Sequence, residues 1–245
     1  MKRFLCLLLL LPAWAGAQVP VEDDILARTL DSSSPYYYTT LMMRYRAGDP
    51  TLTDLDYHYL YYGYAYQESY KPLIPVPELD KLLLLASSVD TENPQKETLE
   101  AIIATGNDVL ARDPFSPKVL NLMAFAYDML GDKEQAAAYA ARMNGVLRAV
   151  LASGDGLSQQ SPRHVLMFDH ALDLLDVEEL PYGKARIVSR SVEFVPLLKP
   201  YVVEGRKRRG FYFDFGRVYW NKPEGYTYKR DRTWQFNNLK PREYK

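Results

Sequence analysis

Cysteine and histidine are scarce in this sequence. Cys6 is the only cysteine among 245 residues, and it lies in an N-terminal apolar run. The chain beyond that run therefore has no disulfide, no thiol nucleophile and no thiolate metal ligand. Of the three histidines, His164 and His170 are six residues apart and do not share a helix face as a zinc-binding HExxH pair does. We therefore expect no metal and no other cofactor.

Motifs that mark common enzyme classes are also missing. The sequence has no GxSxG nucleophile elbow, no Walker phosphate loop and no dinucleotide-binding glycine pattern. Acidic pairs such as Asp54 with Asp56, or Glu178 with Glu179, could supply the two carboxylates that glycoside hydrolysis requires. Because the chain has 31 acidic residues, such pairs also arise by chance. We assign no catalytic residue, and a non-catalytic protein is favoured over an enzyme.

The first 17 residues have the features of a secretory signal peptide. Lys2 and Arg3 precede an apolar run at 4–11, and Ala15-Gly16-Ala17 supplies small residues for cleavage before Gln18. The run is too short to span a bilayer, so no transmembrane segment is expected after signal removal. We expect an exported protein, either periplasmic or secreted. Without Lys2 and Arg3 the chain has 28 basic and 31 acidic residues, which gives a formal charge of −3. This charge gives no indication of nucleic-acid binding.

The region from Thr98 to Leu151 has the clearest helical spacing. Apolar residues recur every three or four positions over 95–112, and Asp113-Pro114 must then turn the chain. Pro117 can open a second helix, which continues to the break at Gly131-Asp132, and a third helix follows at once. The spacing therefore predicts three consecutive helices joined by short turns.

This pattern resembles the tetratricopeptide repeat, a helix-turn-helix unit of about 34 residues. The residues that match its consensus are Leu120, Ala124, Tyr127, Gly131-Asp132, Ala136 and Tyr139. The match covers about one and a half repeats, and an unrelated helical hairpin with the same packing needs is the alternative. Solenoids usually need about three repeats, so other parts of the chain must complete the core. The resemblance implies a binding groove lined by Lys118, Asn121, Phe125 and Asp128.

The N-terminal half is rich in tyrosine and is predicted to be helical. Eleven of the 20 tyrosines lie between 36 and 70, where Pro35 can open one helix and Thr53 can cap another. Most of these rings are expected to fill a core, with each hydroxyl at its edge. Tyrosines occur on both faces of the second helix, which predicts packing on two sides or an exposed aromatic patch. Pro77 can start a further helix in which Leu82 to Leu85 are expected to be buried.

The same tyrosine-rich segment carries a family resemblance. Its motifs are Leu41-Met42, Tyr45, Gly48-Asp49, Leu52-Thr53, Leu60-Tyr61-Tyr62-Gly63-Tyr64 and Tyr70-Lys71-Pro72. They resemble a secreted bacterial family catalogued as domain of unknown function 4919, and the likeness extends over most of the chain beyond the signal peptide. The resemblance implies export and a helical body followed by a strand-bearing C-terminal part. It provides no activity from which catalytic residues could be transferred.

Past Gly156 the apolar residues begin to alternate with polar ones. Strands are predicted at 163–168, 185–194, 201–203 and 211–215, with a short helix at 169–176. The last two strands would form a hairpin whose turn holds four basic residues, Arg206 to Arg209. Four charges in a turn favour a solvated loop over contact with anionic lipid or polysaccharide. The tail from 226 to 245 keeps Trp234 and Phe236 and is expected to pack onto the body.

Together these features predict an α+β protein that is mainly helical and is closed by a small antiparallel sheet. Residues 1–17 would be the signal peptide, 18–156 a tetratricopeptide-like helical region, and 157–245 a strand-rich region packed on it within one structural domain. The leading hypothesis is a binding or scaffold module that recognises a protein, a peptide or an envelope polysaccharide. The alternatives are an envelope glycan hydrolase with a carboxylate pair near the tyrosines, and a structural subunit of an oligomer.

Overall fold

A computed structural model describes residues 17–203 and 205–220. The helices of this part are α1 (Glu22–Thr29), α2 (Tyr38–Arg46), α3 (Asp54–Gly63), α4 (Pro77–Ser87), α5 (Lys96–Arg112), α6 (Pro117–Met129), α7 (Lys133–Ala152) and α8 (Phe168–Val177). The strands are β1 (Arg163–His164), β2 (Arg186–Ile187), β3 (Val192–Val203) and β4 (Arg206–Asp214). The predicted α+β class is confirmed. Residues 1–16 of the predicted signal peptide and the predicted tail with Trp234 and Phe236 lie outside the described residues.

The helix boundaries follow the local sequence. Thr53 and Asp56 form a capping box at the start of α3, in which the Thr53 N–H donates to the Asp56 carboxylate at 2.8 Å. Pro77 and Pro117 begin α4 and α6, where a missing N–H breaks no helical hydrogen bond. Ser116 also caps α6 by accepting a first-turn N–H at 3.4 Å. The predicted starts of these three helices are confirmed.

Helix α3 lies inside the helical body. Every residue from Asp56 to Gly63 is buried, and α1, α2 and α7 all pack against this helix. The prediction of packing on two sides is therefore confirmed, and the tyrosines from Tyr57 to Tyr64 form no exposed aromatic patch. Helices α5 to α7 pack against their sequence neighbours, as the predicted short turns require, and α4 packs against α5. Among the helices in the described part of the chain, none has the length and apolar character needed to cross a membrane.

The burial expected for Leu82 to Leu85 in α4 is wrong for two of these leucines. Leu82 is fully buried and Leu85 is half-buried, but Leu83 is 39% and Leu84 is 71% exposed. Four consecutive leucines point in successive directions around a helix, so one packing partner cannot cover them all. Helix α4 packs mainly on α5, and this leaves part of its apolar surface open to solvent.

The sheet has the strand order β1-β4-β3-β2 and is mixed, which corrects the antiparallel arrangement predicted. β4 pairs with β3 in an antiparallel hairpin, but β1 joins β4 in parallel. The long connection between β1 and β4, which includes α8, makes that parallel pairing possible. The strand predicted at 185–194 is divided, because the N–H groups of Val188 and Ser189 both donate to the Val192 carbonyl and reverse the chain there.

The basic residues predicted to form a turn are part of β4. The register pairs Tyr201 with Arg208 and Val202 with Lys207, so β4 already begins at Arg206. Gly205, with a φ of +72°, makes the reversal. Consecutive charges suggested a loop, but a strand that is open to solvent on both faces also accommodates them.

Gly145 of α7 provides a test of the packing around α3. A methyl group at Gly145 would overlap the buried ring of Tyr57, whereas one at Gly106 of α5 would meet the flexible side chain of Met123. Alanine gains about 1 kcal/mol of helix propensity over glycine at either position. We expect Gly145→Ala to lower the free energy of unfolding by about 2 kcal/mol, and Gly106→Ala to stay within about 1 kcal/mol of the wild type. Urea unfolding followed by circular dichroism measures both, and a Gly145→Ala variant as stable as the wild type would contradict the packing described.

Candidate functional site

A cavity of about 860 Å³ opens beside α4, the turn between α5 and α6, and the start of α8. One set of lining residues is apolar and comes from α4 and the segment before it: Pro72, Leu73, Ile74, Pro75, Val76, Leu79 and Leu83. A second set is charged or polar: Lys71, Asp80, Arg112, Asp113, Ser116, Lys118, Asp169 and Asp173. The volume lies in the range of small-molecule and peptide-side-chain sites, which we take as about 300–1,000 Å³.

An ion pair between α6 and α8 forms part of the polar lining. The Lys118 ammonium lies 2.8 Å from the Asp173 carboxylate and 3.6 Å from that of Asp176. The backbone N–H of Lys118 also donates to Asp173, at 3.2 Å. Burial raises the pKa of Asp173, while the neighbouring ammonium acts in the opposite direction. This pair fixes the first turn of α6 against α8.

A hydrogen-bonded chain leads from the core to the cavity through His170. Its Nε2 lies 3.0 Å from the Asp113 carboxylate, and its Nδ1 lies 2.8 Å from the Tyr61 hydroxyl. The Leu166 N–H donates to the same hydroxyl oxygen at 3.1 Å. We therefore assign the neutral ring the tautomer in which Tyr61 donates to Nδ1 and the Nε2–H donates to Asp113. Both nitrogens are engaged, so the ring serves to position Asp113 at the cavity wall.

The pKa of His170 is shifted in the opposite direction from the pKa values of His58 and His164. Burial disfavours a charged His170, but the carboxylates of Asp113 and Asp173 outweigh burial and raise its pKa. The stability that His170 contributes is therefore present below its ordinary pKa of 6.5 and is lost as pH rises through the higher folded value. Burial lowers the pKa of His58 and of His164 from 6.5 to about 4. Their contribution is present above pH 6.5 and is lost as pH falls towards 4.

The structure places one of the four predicted groove residues in the cavity lining. Lys118 lines the cavity, whereas Asn121 and Asp128 are exposed on later turns of α6 and Phe125 is half-buried. Asp128 also pairs with Lys133 at 2.6 Å. The predicted groove along α6 stays a prediction.

Three residues at or next to the cavity have no site role in the sequence-based predictions. Those predictions name Asp113 only as a residue that ends a helix, and His170 only in weighing a metal site. They do not name Asp173. The two partners in the Asp113–His170 contact are 57 positions apart, so no spacing rule brings them together. The spacing of apolar residues in α8 does predict an amphipathic helix with Asp173 on its buried side. A buried carboxylate needs a partner, so its position in the pattern could have marked Asp173 as a candidate site residue.

The acidic pairs considered for glycoside hydrolysis do not line the cavity. Asp56 belongs to the capping box of α3, and Asp54 lies 2.7 Å from Arg148. Glu178 lies 3.5 Å from Arg163. Each of these carboxylates thus has a structural partner. Within residues 17–203 and 205–220, no three histidine, cysteine or acidic side chains come together in a way that could hold a metal ion.

Removing one hydroxyl tests the chain through His170. Tyr61→Phe leaves the Leu166 N–H and the His170 Nδ1 without a partner in the core, and we expect it to lower the free energy of unfolding by about 2–3 kcal/mol. Tyr59→Phe is the matched control, because the Tyr59 hydroxyl donates to Asp24, a partly exposed carboxylate that water can also bind. Its loss should cost at most about 1 kcal/mol. Chemical unfolding of both variants measures the difference, and equal losses would show that the chain has no special role.

Comparison with known proteins identifies the family. The family model described as "Domain of unknown function (DUF4919)" matches residues 23–223. No curated protein and no solved structure matches the chain. The matched range includes α2 to α8, all four strands described above and all of α1 except Glu22. The chain therefore belongs to the DUF4919 family.

Proposed function

We propose that this DUF4919 protein is an exported, non-catalytic binding module whose cavity holds a peptide segment of a partner protein. The observation that carries the proposal is the cavity lining, which combines exposed aliphatic side chains with charged side chains of both signs. Export is supported by the basic, apolar and small-residue pattern of residues 1–17.

The apolar lining suits the side chains of a peptide. Ile74 and Leu83 are each about two-fifths exposed, and a ligand that covers them would gain from the hydrophobic effect. The segment that carries Ile74 contains Pro72 and Pro75 and is followed by Pro77, and each proline ring fixes the backbone angle φ of its residue. This part of the site therefore loses little conformational entropy when a ligand binds.

The charged lining suits a ligand that carries both signs. Four charged side chains of the lining form no ion pair or hydrogen bond with any residue that the structure describes: Lys71, Asp80, Arg112 and Asp169. Two cations and two anions at one cavity complement a peptide, which offers backbone polar groups and side chains of either charge. A uniformly anionic or cationic small molecule would meet like charges here.

Two observations favour peptide binding over glycan hydrolysis. Phe168 is the only aromatic residue among the described lining residues, so the cavity offers a single flat ring on which a sugar could stack. The buried carboxylate of Asp173 is already paired with Lys118. The hydrolase alternative is favoured by one fact, that burial raises the pKa of Asp173 as a general acid requires.

Two neighbouring leucines of α4 provide a matched test. Leu83 lines the cavity, while Leu84 is exposed and does not. Peptides selected from a random display library on the purified wild-type protein should bind Leu83→Asp at least about tenfold more weakly, because the charge would sit in the apolar lining. Leu84→Asp should bind them as the wild type does. Fluorescence anisotropy with labelled peptides measures both affinities.

Three other results would change the proposed peptide site or the proposed function. Unchanged binding by Leu83→Asp would overturn the cavity as the peptide site. If, in addition, the double variant Asn121→Ala and Phe125→Ala lost binding, the site would be the groove predicted on α6. Release of sugar from envelope glycan by the wild type, abolished by Asp173→Asn, would replace the binding module with the hydrolase.

A further inference from the structure

The outer part of the β3–β4 hairpin extends beyond the rest of the sheet. β1 pairs with β4 only at Phe213 and Asp214, and β2 pairs with β3 only at Glu193 and Phe194. Among the residues that the structure describes, the two hairpin strands pair only with each other beyond Leu198. We call the residues 198–202 and 206–209 the ribbon. An isolated two-stranded ribbon has no core of its own, so its surface composition indicates its role.

The ribbon combines exposed apolar side chains with a concentration of positive charge. Leu198, Val202 and Tyr201 are 70%, 58% and 42% exposed. From 198 to 209 the sequence has five basic residues and one acidic residue, although the whole chain has 30 basic and 31 acidic residues. None of the five basic side chains forms an ion pair with a described residue. The ribbon thus has a local excess of positive charge beside exposed apolar surface.

The strand register places these two kinds of side chain next to each other. Tyr201 lies opposite Arg208, and Val202 lies opposite Lys207. Residues directly opposite in an antiparallel pair share a face of the ribbon. Because Tyr201 and Val202 are consecutive, they lie on different faces. Each face therefore carries an apolar side chain beside a cation.

We propose that the ribbon docks the protein on the surface of a bilayer that contains anionic lipids. The guanidinium and ammonium groups would bind lipid phosphates, while Leu198, Tyr201 and Val202 enter the boundary between headgroups and acyl chains. Tyrosine favours this boundary because its ring is apolar and its hydroxyl is polar. An anionic polysaccharide would use the cations but would leave the aliphatic side chains in water. This inference does not depend on the peptide site, whose lining includes no residue of the ribbon.

Vesicle binding by charge variants tests the inference. The chain beginning at Gln18 is mixed with vesicles of phosphatidylcholine that contain about one third phosphatidylglycerol, and bound protein is separated by sedimentation. Removing one cation near such a surface should weaken binding about fivefold, so Lys207→Gln with Arg209→Gln should weaken it about 25-fold. The matched control, Lys96→Gln with Lys133→Gln, removes the same charge from exposed positions on the helices and should bind as the wild type does.

A second variant separates lipid from polysaccharide. Leu198→Ser with Val202→Ser keeps every charge, and we expect it to bind the same vesicles at least about tenfold more weakly than the wild type. The inference would be overturned if the ribbon variant Lys207→Gln with Arg209→Gln bound the vesicles as tightly as the control variant does. It would also be overturned if the wild type bound vesicles of pure phosphatidylcholine as tightly as vesicles that contain phosphatidylglycerol. The ribbon would instead recognise polysaccharide if two results were obtained together. The protein would bind dextran sulfate through Lys207 and Arg209, and the serine variant would bind vesicles as tightly as the wild type does.

Discussion

The structure depends on one constraint, that a buried tyrosine hydroxyl needs a hydrogen-bond partner. Helix α3 buries its tyrosine rings, and the hydroxyls of Tyr61, of Tyr62 and of Tyr64 just after the helix reach main-chain groups of distant segments. Tyr62 donates to the His164 carbonyl at 2.9 Å, Tyr64 donates to the Arg112 carbonyl at 2.9 Å, and Tyr61 accepts the Leu166 N–H. Tyrosine fills the core as a large apolar residue does, but its hydroxyl also determines which main-chain segment lies at the end of each ring.

The cavity is a consequence of the same arrangement. Tyr61 holds His170, and His170 holds Asp113 at the turn between α5 and α6. Lys118 and Asp173 join the first turn of α6 to α8. These contacts fix two lining segments that are far apart in sequence, while the proline-containing segment before α4 supplies the third. A peptide would thus meet a site whose polar wall is part of the core hydrogen-bond network.

The sequence predicted most of the helical body because its signals are local. Pro77, Pro117 and Thr53 determine helix starts through their own backbone chemistry, and apolar spacing gives the length of α5 to α7. The sheet was harder to predict, because the parallel position of β1 depends on pairing across an intervening helix. The sequence predicts a turn at Arg206 to Arg209, which are the first residues of β4, because charge content says nothing about hydrogen bonding. Asp113, His170 and Asp173 meet only in three dimensions, so the sequence alone could not assemble the cavity.

Native-state hydrogen exchange tests most directly whether tyrosine hydroxyls join the helical region at 18–156 to the strand-rich region beyond it. The amides of α3, α8 and Leu166 should exchange only through global unfolding, with one common free energy of opening. That result would show one cooperative unit held together through α3. A lower, separate free energy of opening for α8, β1 and Leu166, with α3 still protected, would contradict this account.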